Sequence, residues 1–422
     1  MVKNNLKNTD LNAIRVLFVN TRSGIGADVA VHYMLIRNFL PREAVVMLAT
    51  NRLAGDYQKT IQMLRNVPGI RIVSLNMGYE QAGKGRFSRI LGAAGNLYAL
   101  FFALLQLCWI VKRNGIQIIH STDRPRDALL STLLARFTGC KNIVHVHIKW
   151  YPEIGKITTR ALEKASGVLA ISKFVRSSLI EGGVDPLKIY TEWNATDPME
   201  FNPAKCHRGF LHNKLDLAEN VPLVGIVARV MVWKGHLELV KAFAKVLERV
   251  PEAHLVIVGE EDLLASPEPG SYAASVRSLI EKMGLEEVVH WMGWIDDMPL
   301  VFADLDVVCV PSWEEPFGLV VTEAMSMSRP VVGFNSGALP EIIDSGVDGL
   351  LVTQKDVVQL AQSITDLLQS PVMANEIGDH ARQKVLDRFT PRRQASGVTA
   401  IYRAILNGVP ADDSPSMAHH EK

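Results

Sequence analysis

One pattern constrains this chain more than any other. Short apolar, β-branched runs alternate with helix-length segments along all 422 residues. In the first half the runs are Arg15–Val19, Ala44–Leu48, Arg71–Ser74, Gln117–His120, Asn142–His147 and Gly167–Ile171. In the second they are Leu223–Val227, His254–Val258, Val288–Met292, Val307–Val310, Pro330–Gly333 and Leu350–Val352. Several lack polar alternation, as strands do when both faces of a parallel sheet are covered. Repeated βαβ units follow, and each half reads as a doubly wound α/β domain. A solenoid is excluded, because no short repeat period is present.

The length predicts two or three domains. The boundary is expected near Asp197–Leu217, a stretch of poor periodicity with two prolines, after which a new sheet begins. A helical stretch, Pro371–Leu406, should break at Thr390-Pro391, because proline disfavours helix in the residue before it. Residues from Gly408 to Lys422 read as a mobile tail. Cys108, Cys140, Cys206 and Cys309 are far apart, without a Cys-x-x-Cys pair, so a disulfide scaffold or cysteine zinc site is not expected. The first twenty residues hold no apolar run of signal-peptide length, and a cytoplasmic protein is expected.

Charge divides the chain. Residues 1–200 carry 26 Lys and Arg against 14 Asp and Glu, a net +12, whereas residues 201–422 carry −11. The first half is therefore expected to meet something anionic, unless the halves simply attract each other. Ile90–Val111 is uncharged over 22 residues, between Lys84, Arg86 and Arg89 on one side and Lys112 and Arg113 on the other. Lying among the strands of one sheet, it reads as a buried crossover helix, or as one that also touches a membrane surface.

The densest chemical signal is Val310–Met325, VPSWEEPFGLVVTEAM. A helix from Leu319 would leave backbone N–H groups of Phe317, Gly318 and Leu319 free for phosphate or sugar hydroxyls. Glu315 before it and Glu323 within it are eight residues apart, and ionised carboxylates suit hydroxyl recognition. In Gly225–Gly235, Arg229 and Lys234 follow a buried strand, where two cations can neutralise a diphosphate. Asp304-Leu305-Asp306 precedes its strand and is not read as a metal site. Gly24 and Gly26 form a Gly-x-Gly loop after the first strand that allows a ligand near the backbone. His147 ends the strand Asn142–His147, where α/β sheets bind ligands; His145 competes with it from a deeper position.

Together these residues resemble the retaining nucleotide-sugar transferases of glycosyltransferase family 4. The motifs run from the strand before Arg229 and Lys234, through VIVGEE, HWMG and PSWEEPFGLVVTEAM, to RPVVGFNSGALPEII and GVDGLLV. The Glu-x7-Glu element is the most specific of them. The resemblance implies a GT-B fold, two Rossmann-like doubly wound domains facing a central cleft. Residues 1–200 would bind the acceptor and 201–390 the nucleotide sugar; a helix at 391–407 would pack back on the first domain, ahead of a mobile tail at 408–422. It also implies Glu315 at the donor sugar's hydroxyls, Glu323 at the ribose, Arg229 and Lys234 at the diphosphate, and His147 beside the transferring sugar. Gly24 and Gly26 would form an acceptor or phosphate loop. Ser328 stands where the family usually has glycine, and Lys149 adds a charge near His147.

The expected activity is retaining, metal-independent transfer from a nucleoside-diphosphate sugar to a hydroxyl of a lipid-linked or membrane-presented glycan. No cofactor, metal or nucleic acid is expected, and an anionic membrane surface is the expected partner besides the substrates. The rival readings are a sugar-nucleotide epimerase of the same fold, a non-catalytic sugar-nucleotide binder, and a transferase with a soluble sugar or sugar-phosphate acceptor.

Overall fold

The structure is a computed structural model that describes residues 13–22, 26–65, 67, 69–79, 86–151, 154–261 and 271–413, with side chains for all of these except 86–94 and 271. It divides into two units: one runs to Asn194 and resumes at Pro391, and the other is Ala195–Thr390.

In the first unit the chain runs β1 (Ile14–Asn20), α1 (Ala27–Asn38), β2 (Ala44–Asn51), α2 (Tyr57–Leu64), β3 (Arg71–Leu75), α3 (Arg86–Asn114), β4 (Ile118–Thr122), α4 (Pro125–Thr138), β5 (Lys141–Val146), α5 (Lys156–Lys164), β6 (Gly167–Ala170), α6 (Lys173–Glu181) and β7 (Ile189–Thr191). All seven strands are parallel, in the order β3-β2-β1-β4-β5-β6-β7. Successive side chains of β1 serve opposite faces. Val16 and Phe18 join Val29, Tyr33 and Ile36 of α1. Leu17 and Val19 join Leu107 and Val111 of α3 and Leu130 and Leu134 of α4. β7 is absent from the sequence-derived strands: Ile-Tyr-Thr at the sheet's edge is too short to show a period.

The second unit runs α7 (Phe210–Lys214), β8 (Leu223–Val227), α8 (His236–Val246), β9 (His254–Val258), α9 (Ser271–Lys282), β10 (Val289–Gly293), α10 (Met298–Asp304), β11 (Val307–Val310), α11 (Leu319–Ser326), β12 (Val331–Phe334), α12 (Leu339–Ile342), β13 (Leu350–Val352), α13 (Val357–Gln369) and α14 (Pro371–Arg388). Its parallel sheet has the order β10-β9-β8-β11-β12-β13. Leu239 and Phe243 of α8, Val276 of α9 and Ile364 of α13 cover one face.

The boundary lies before residue 200. The Thr196 amide donates to the Phe389 carbonyl at 2.9 Å, and the Thr196 and Thr322 hydroxyls pair at 2.6 Å, which draws 195–200 into the second unit. α14 ends at Arg388, and α15 (Pro391–Asn407) belongs to the first unit. There Val398, Ile401 and Tyr402 enter the α1 side of the core. The tail does not begin at Gly408. Tyr190 Oη donates to the Val409 carbonyl at 2.6 Å, Arg176 pairs with Asp412 at 2.8 Å, and Ala411 is buried. Only 414–422 of that segment lie outside the described residues.

α3 departs from the buried crossover helix. Ala103, Leu107 and Val111 are buried, while Leu97, Tyr98, Phe101, Leu105 and Trp109 are 50–69% exposed. Arg113 stacks over Trp109, 4.9 Å from the ring centre. Gly95–Asn114 is long and apolar enough to cross a membrane, yet one side of it is committed to the sheet. A spanning helix would abandon that side.

Ser328, after α11, adopts φ +55°, a left-handed conformation that costs a side-chain-bearing residue about 1–2 kcal/mol. Glycine relieves that strain but frees the unfolded chain, which offsets about 0.4–1 kcal/mol. Ser328→Gly is therefore expected to stabilise the second unit by up to about 1 kcal/mol in urea unfolding. A destabilised variant would show that the serine side chain supplies more than the backbone strain removes.

Candidate active site

In each sheet the strand order reverses once, between β1 and β4 in the first unit and between β8 and β11 in the second. Loops leaving the carboxyl ends of such strand pairs diverge to opposite faces and open a crevice for ligands.

In the second unit those loops carry Arg229 with Lys234, and Glu315. Lys234 closes a short 3-10 turn, Val232–Lys234, before Gly235 at φ +74° starts α8. A Cβ at Gly235 would strike the Pro311 carbonyl at the end of β11, so the missing side chain lets the two loops touch. The Trp313 amide then donates to the Trp233 carbonyl at 2.8 Å. Lys234 Nζ reaches Glu315 Oε2 at 2.6 Å, with the two side chains 12% and 9% exposed. The ammonium also lies 4.1 Å from the Trp233 ring centre. Arg229 is exposed in the same loop.

Glu315 is held from behind. The Ala338 amide donates to its carbonyl at 2.8 Å, and a Cβ at Gly337, φ +59°, would run into its backbone. Gly318, at φ +103°, caps α11, whose first amides have no acceptor within the helix. The Phe317 side chain is buried edge-on to Phe389 at 6.0 Å, which leaves only its backbone for a ligand. Glu323 lies one turn into α11 and is partly buried. Burial, reinforced by Glu200, raises its carboxyl to about 7.

Asp304 and Asp306 have structural partners. Asp304 accepts from the amides of Gly209, Leu211 and His212 at the start of α7, and Asp306 pairs with Arg208 at 2.6 Å and accepts from the Leu223 amide. Sequence reading missed Gly337 and Trp233, whose roles depend on contacts between loops distant in the chain. It also missed the cavity at the ends of β9 and β10, lined by Glu260, Glu261, Arg277, Trp291 and Gly293.

In the first unit a charged cluster joins the loops after β1 and β4. Asp28 pairs with Arg22 at 2.9 Å and Arg124 at 3.0 Å. Burial alone would raise its carboxyl, but Arg124, His147 and Arg22 outweigh that and hold it at about 2. Gly26 lies under this bridge, where a Cβ would meet the Arg22 guanidinium; Gly24 is outside the described residues. β5 ends at Val146, and His147 is the next residue, its amide donating to Asp123 Oδ2 at 3.3 Å. Burial, opposed by Asp28 and aided by Arg124, lowers His147 to about 4, so the imidazole is neutral at pH 7. Burial, with Asp28 nearby, raises Asp123 to about 7. His145 is fully buried in β5. Asp123, Asp28 and Arg124 were not singled out in the sequence, although Asp123 directly follows a buried strand.

The raised Glu323 carboxyl makes stability depend on pH with a defined sign. Below about 4.5 the group is protonated in both states and contributes nothing. Between about 4.5 and 7 the unfolded state releases the proton while the folded state, where the carboxyl is desolvated beside Glu200, keeps it, and stability falls over that window. Glu323→Gln should match wild type at pH 4 and unfold at higher urea at pH 8. Parallel pH profiles for the two proteins would contradict this assignment.

Known proteins share parts of this sequence and its fold. The family described as Glycosyl transferases group 1 matches residues 207–384. A lipopolysaccharide core biosynthesis mannosyltransferase, LpcC, of Rhizobium leguminosarum bv. viciae is 29% identical over 367 residues, covering 84% of this chain and 94% of its own. An MMP α-(1→4)-mannosyltransferase of Mycolicibacterium hassiacum is 27% identical over 310 residues, covering 71% and 68%. Among solved structures, Anabaena HepE in complex with UDP superimposes with a TM-score of 0.73 at 19% identity, covering 93% of this chain and all of that one. A glycosyltransferase from Rickettsia africae gives 0.73 at 22% identity, covering 94% and 99%. Residues 207–384 match the family described as Glycosyl transferases group 1, and the two parallel sheets are those of a GT-B fold.

Proposed function

We propose that this chain moves a sugar, with retention of anomeric configuration and without a divalent ion, from a nucleoside-diphosphate sugar to a hydroxyl of a lipid-linked or membrane-presented glycan. The observation that carries the donor half is the Lys234–Glu315 pair where β8 and β11 meet. Anabaena HepE, of the same fold, has been solved with UDP and with UDP-glucose, which supports a nucleotide-sugar donor here.

Breaking the glycosidic bond places negative charge on the departing diphosphate. Arg229, Lys234 and the amides at Phe317, Gly318 and Leu319 are cationic or dipolar groups suited to that charge. Glu315 accepts hydrogen bonds from the donor sugar, and Glu323 from the ribose. Among the residues assigned here, each carboxylate of the donor site already has a recognition task. A front-face path therefore suits it better than a glycosyl-enzyme, with the leaving phosphate oxygen taking the acceptor proton. On the acceptor side the neutral His147 is able to accept a hydrogen bond from a hydroxyl, while the space beside Gly26 is taken up by the Arg22 guanidinium.

The membrane reading rests on α3. Its apolar side turns Leu97, Tyr98, Phe101, Leu105 and Trp109 outward, with Lys112 and Arg113 at its end. Each basic residue near an anionic surface adds about 1 kcal/mol of attraction, which is enough for reversible attachment when joined to the apolar face. The naming of LpcC as a lipopolysaccharide core enzyme favours the same kind of acceptor.

At saturating donor, Lys234→Ala is expected to lower transfer by about 10²–10³ while the protein stays folded, and wild-type transfer should persist in EDTA. Turnover close to wild type in the variant, or loss of activity restored only by magnesium or manganese, would overturn the donor-site reading. Separately, the wild type should float with anionic vesicles at low salt and detach at high salt. Phe101→Ser combined with Trp109→Ser should remain in the soluble fraction throughout. A wild type that never floats points to a soluble sugar or sugar-phosphate acceptor instead.

A further inference from the structure

Behind His147, in the middle of the first unit, three buried histidines from three elements converge: His32 of α1, His120 of β4 and His145 of β5. His145 Nδ1 lies 3.2 Å from His32 Nε2 and 3.3 Å from His120 Nε2. One ring nitrogen from each histidine falls within 4.8 Å of the other two.

Hydrogen bonding alone does not satisfy this arrangement. An imidazole nitrogen offers one N–H or one lone pair, so His145 Nδ1 serves one neighbour and leaves the other facing it unbonded. Its second nitrogen, Nε2, has no partner among the described residues and is also out of water. Buried polar atoms in that condition call for an occupant. His120 is braced on its far side, with Nδ1 2.6 Å from Tyr402 Oη and its ring stacked on Phe18 at 4.5 Å. When Nδ1–H donates to that oxygen, the Nε2 lone pair is directed at His145, the tautomer that a metal-ligating histidine needs.

We propose that His32 Nε2, His120 Nε2 and His145 Nδ1 form a binding site for a zinc-type divalent transition-metal ion. Three neutral imidazoles are ligands of the right softness, and around a tetrahedral ion with metal–nitrogen bonds of 2.0–2.1 Å, neighbouring nitrogens stand about 3.3 Å apart. The separations of 3.2 and 3.3 Å match that edge, and the third pair lies within 4.8 Å. The ion would pin α1 to β4 and β5 beneath the His147 loop. It takes no part in the donor chemistry of the second unit, so this proposal stands or falls independently of the transfer reaction.

The test is elemental analysis of tag-free, full-length protein produced with zinc and gel-filtered, together with zinc-edge X-ray absorption. The expected result is about one zinc per chain with three imidazole ligands, and visible d–d absorption when cobalt replaces zinc. His145→Asn and His120→Phe should each lose the bound ion with far-UV circular dichroism retained, while His207→Ala, altering an exposed histidine, should keep it. Zinc well below one equivalent, or an absorption spectrum with fewer than three imidazoles, would overturn the site in the wild-type protein alone. Those two outcomes would leave the three histidines as a network of neutral rings.

Discussion

The pairing of Lys234 with Glu315 makes one site out of two loops that are far apart in the chain. Its geometry follows from the sheet: β8 and β11 are neighbours although two βα units separate them in sequence, so the loops leaving them meet. Once they meet, little water remains around the pair, and the 2.6 Å contact offsets the cost of desolvating both charges. The lysine is held between a carboxylate and an indole. Neither group has another charged partner of comparable closeness among the described contacts, so losing either one leaves the other buried beside a misplaced loop.

Glycines make that contact possible. At Gly235 and Gly337 the backbone adopts positive φ, and a side chain would collide with the neighbouring strand end or with Glu315 itself. These positions carry no chemistry, yet they set where the chemical groups stand. The first unit solves a related problem with charge: Arg22, Asp28 and Arg124 span the loops after β1 and β4, and their field keeps His147 beside an ionised carboxylate while burial keeps its ring neutral.

The parallel sheets were legible because their strands are apolar on both faces; only Ile189–Thr191, three residues at an edge, escaped the pattern. The placement of Arg229 and Lys234 after β8, and of Glu315 and Glu323 after β11, was legible because those strands are. What sequence could not convey depended on distant partners. The burial of Phe317 against Phe389 needed the path of α14, and the joining of 195–200 to the second unit needed the Thr196–Thr322 contact. The exposed side of α3 stayed one of two readings because an uncharged helix reads alike whether it is covered on one side or on both. The tail was misread at 408–413 because Arg176 and Tyr190, which hold it, lie more than 200 residues earlier.

The central claim is that the second unit recognises a diphosphate through Lys234 and its neighbouring loop. Calorimetric titration of the purified protein with nucleoside mono- and diphosphates, in buffer freed of divalent ions, tests it most directly. The account predicts that for the preferred base the diphosphate binds at least about tenfold more tightly than the monophosphate, roughly 1.4 kcal/mol, and that Lys234→Ala removes the difference. Equal affinity for the two nucleotides in the wild type, or a diphosphate preference that survives Lys234→Ala, would contradict it.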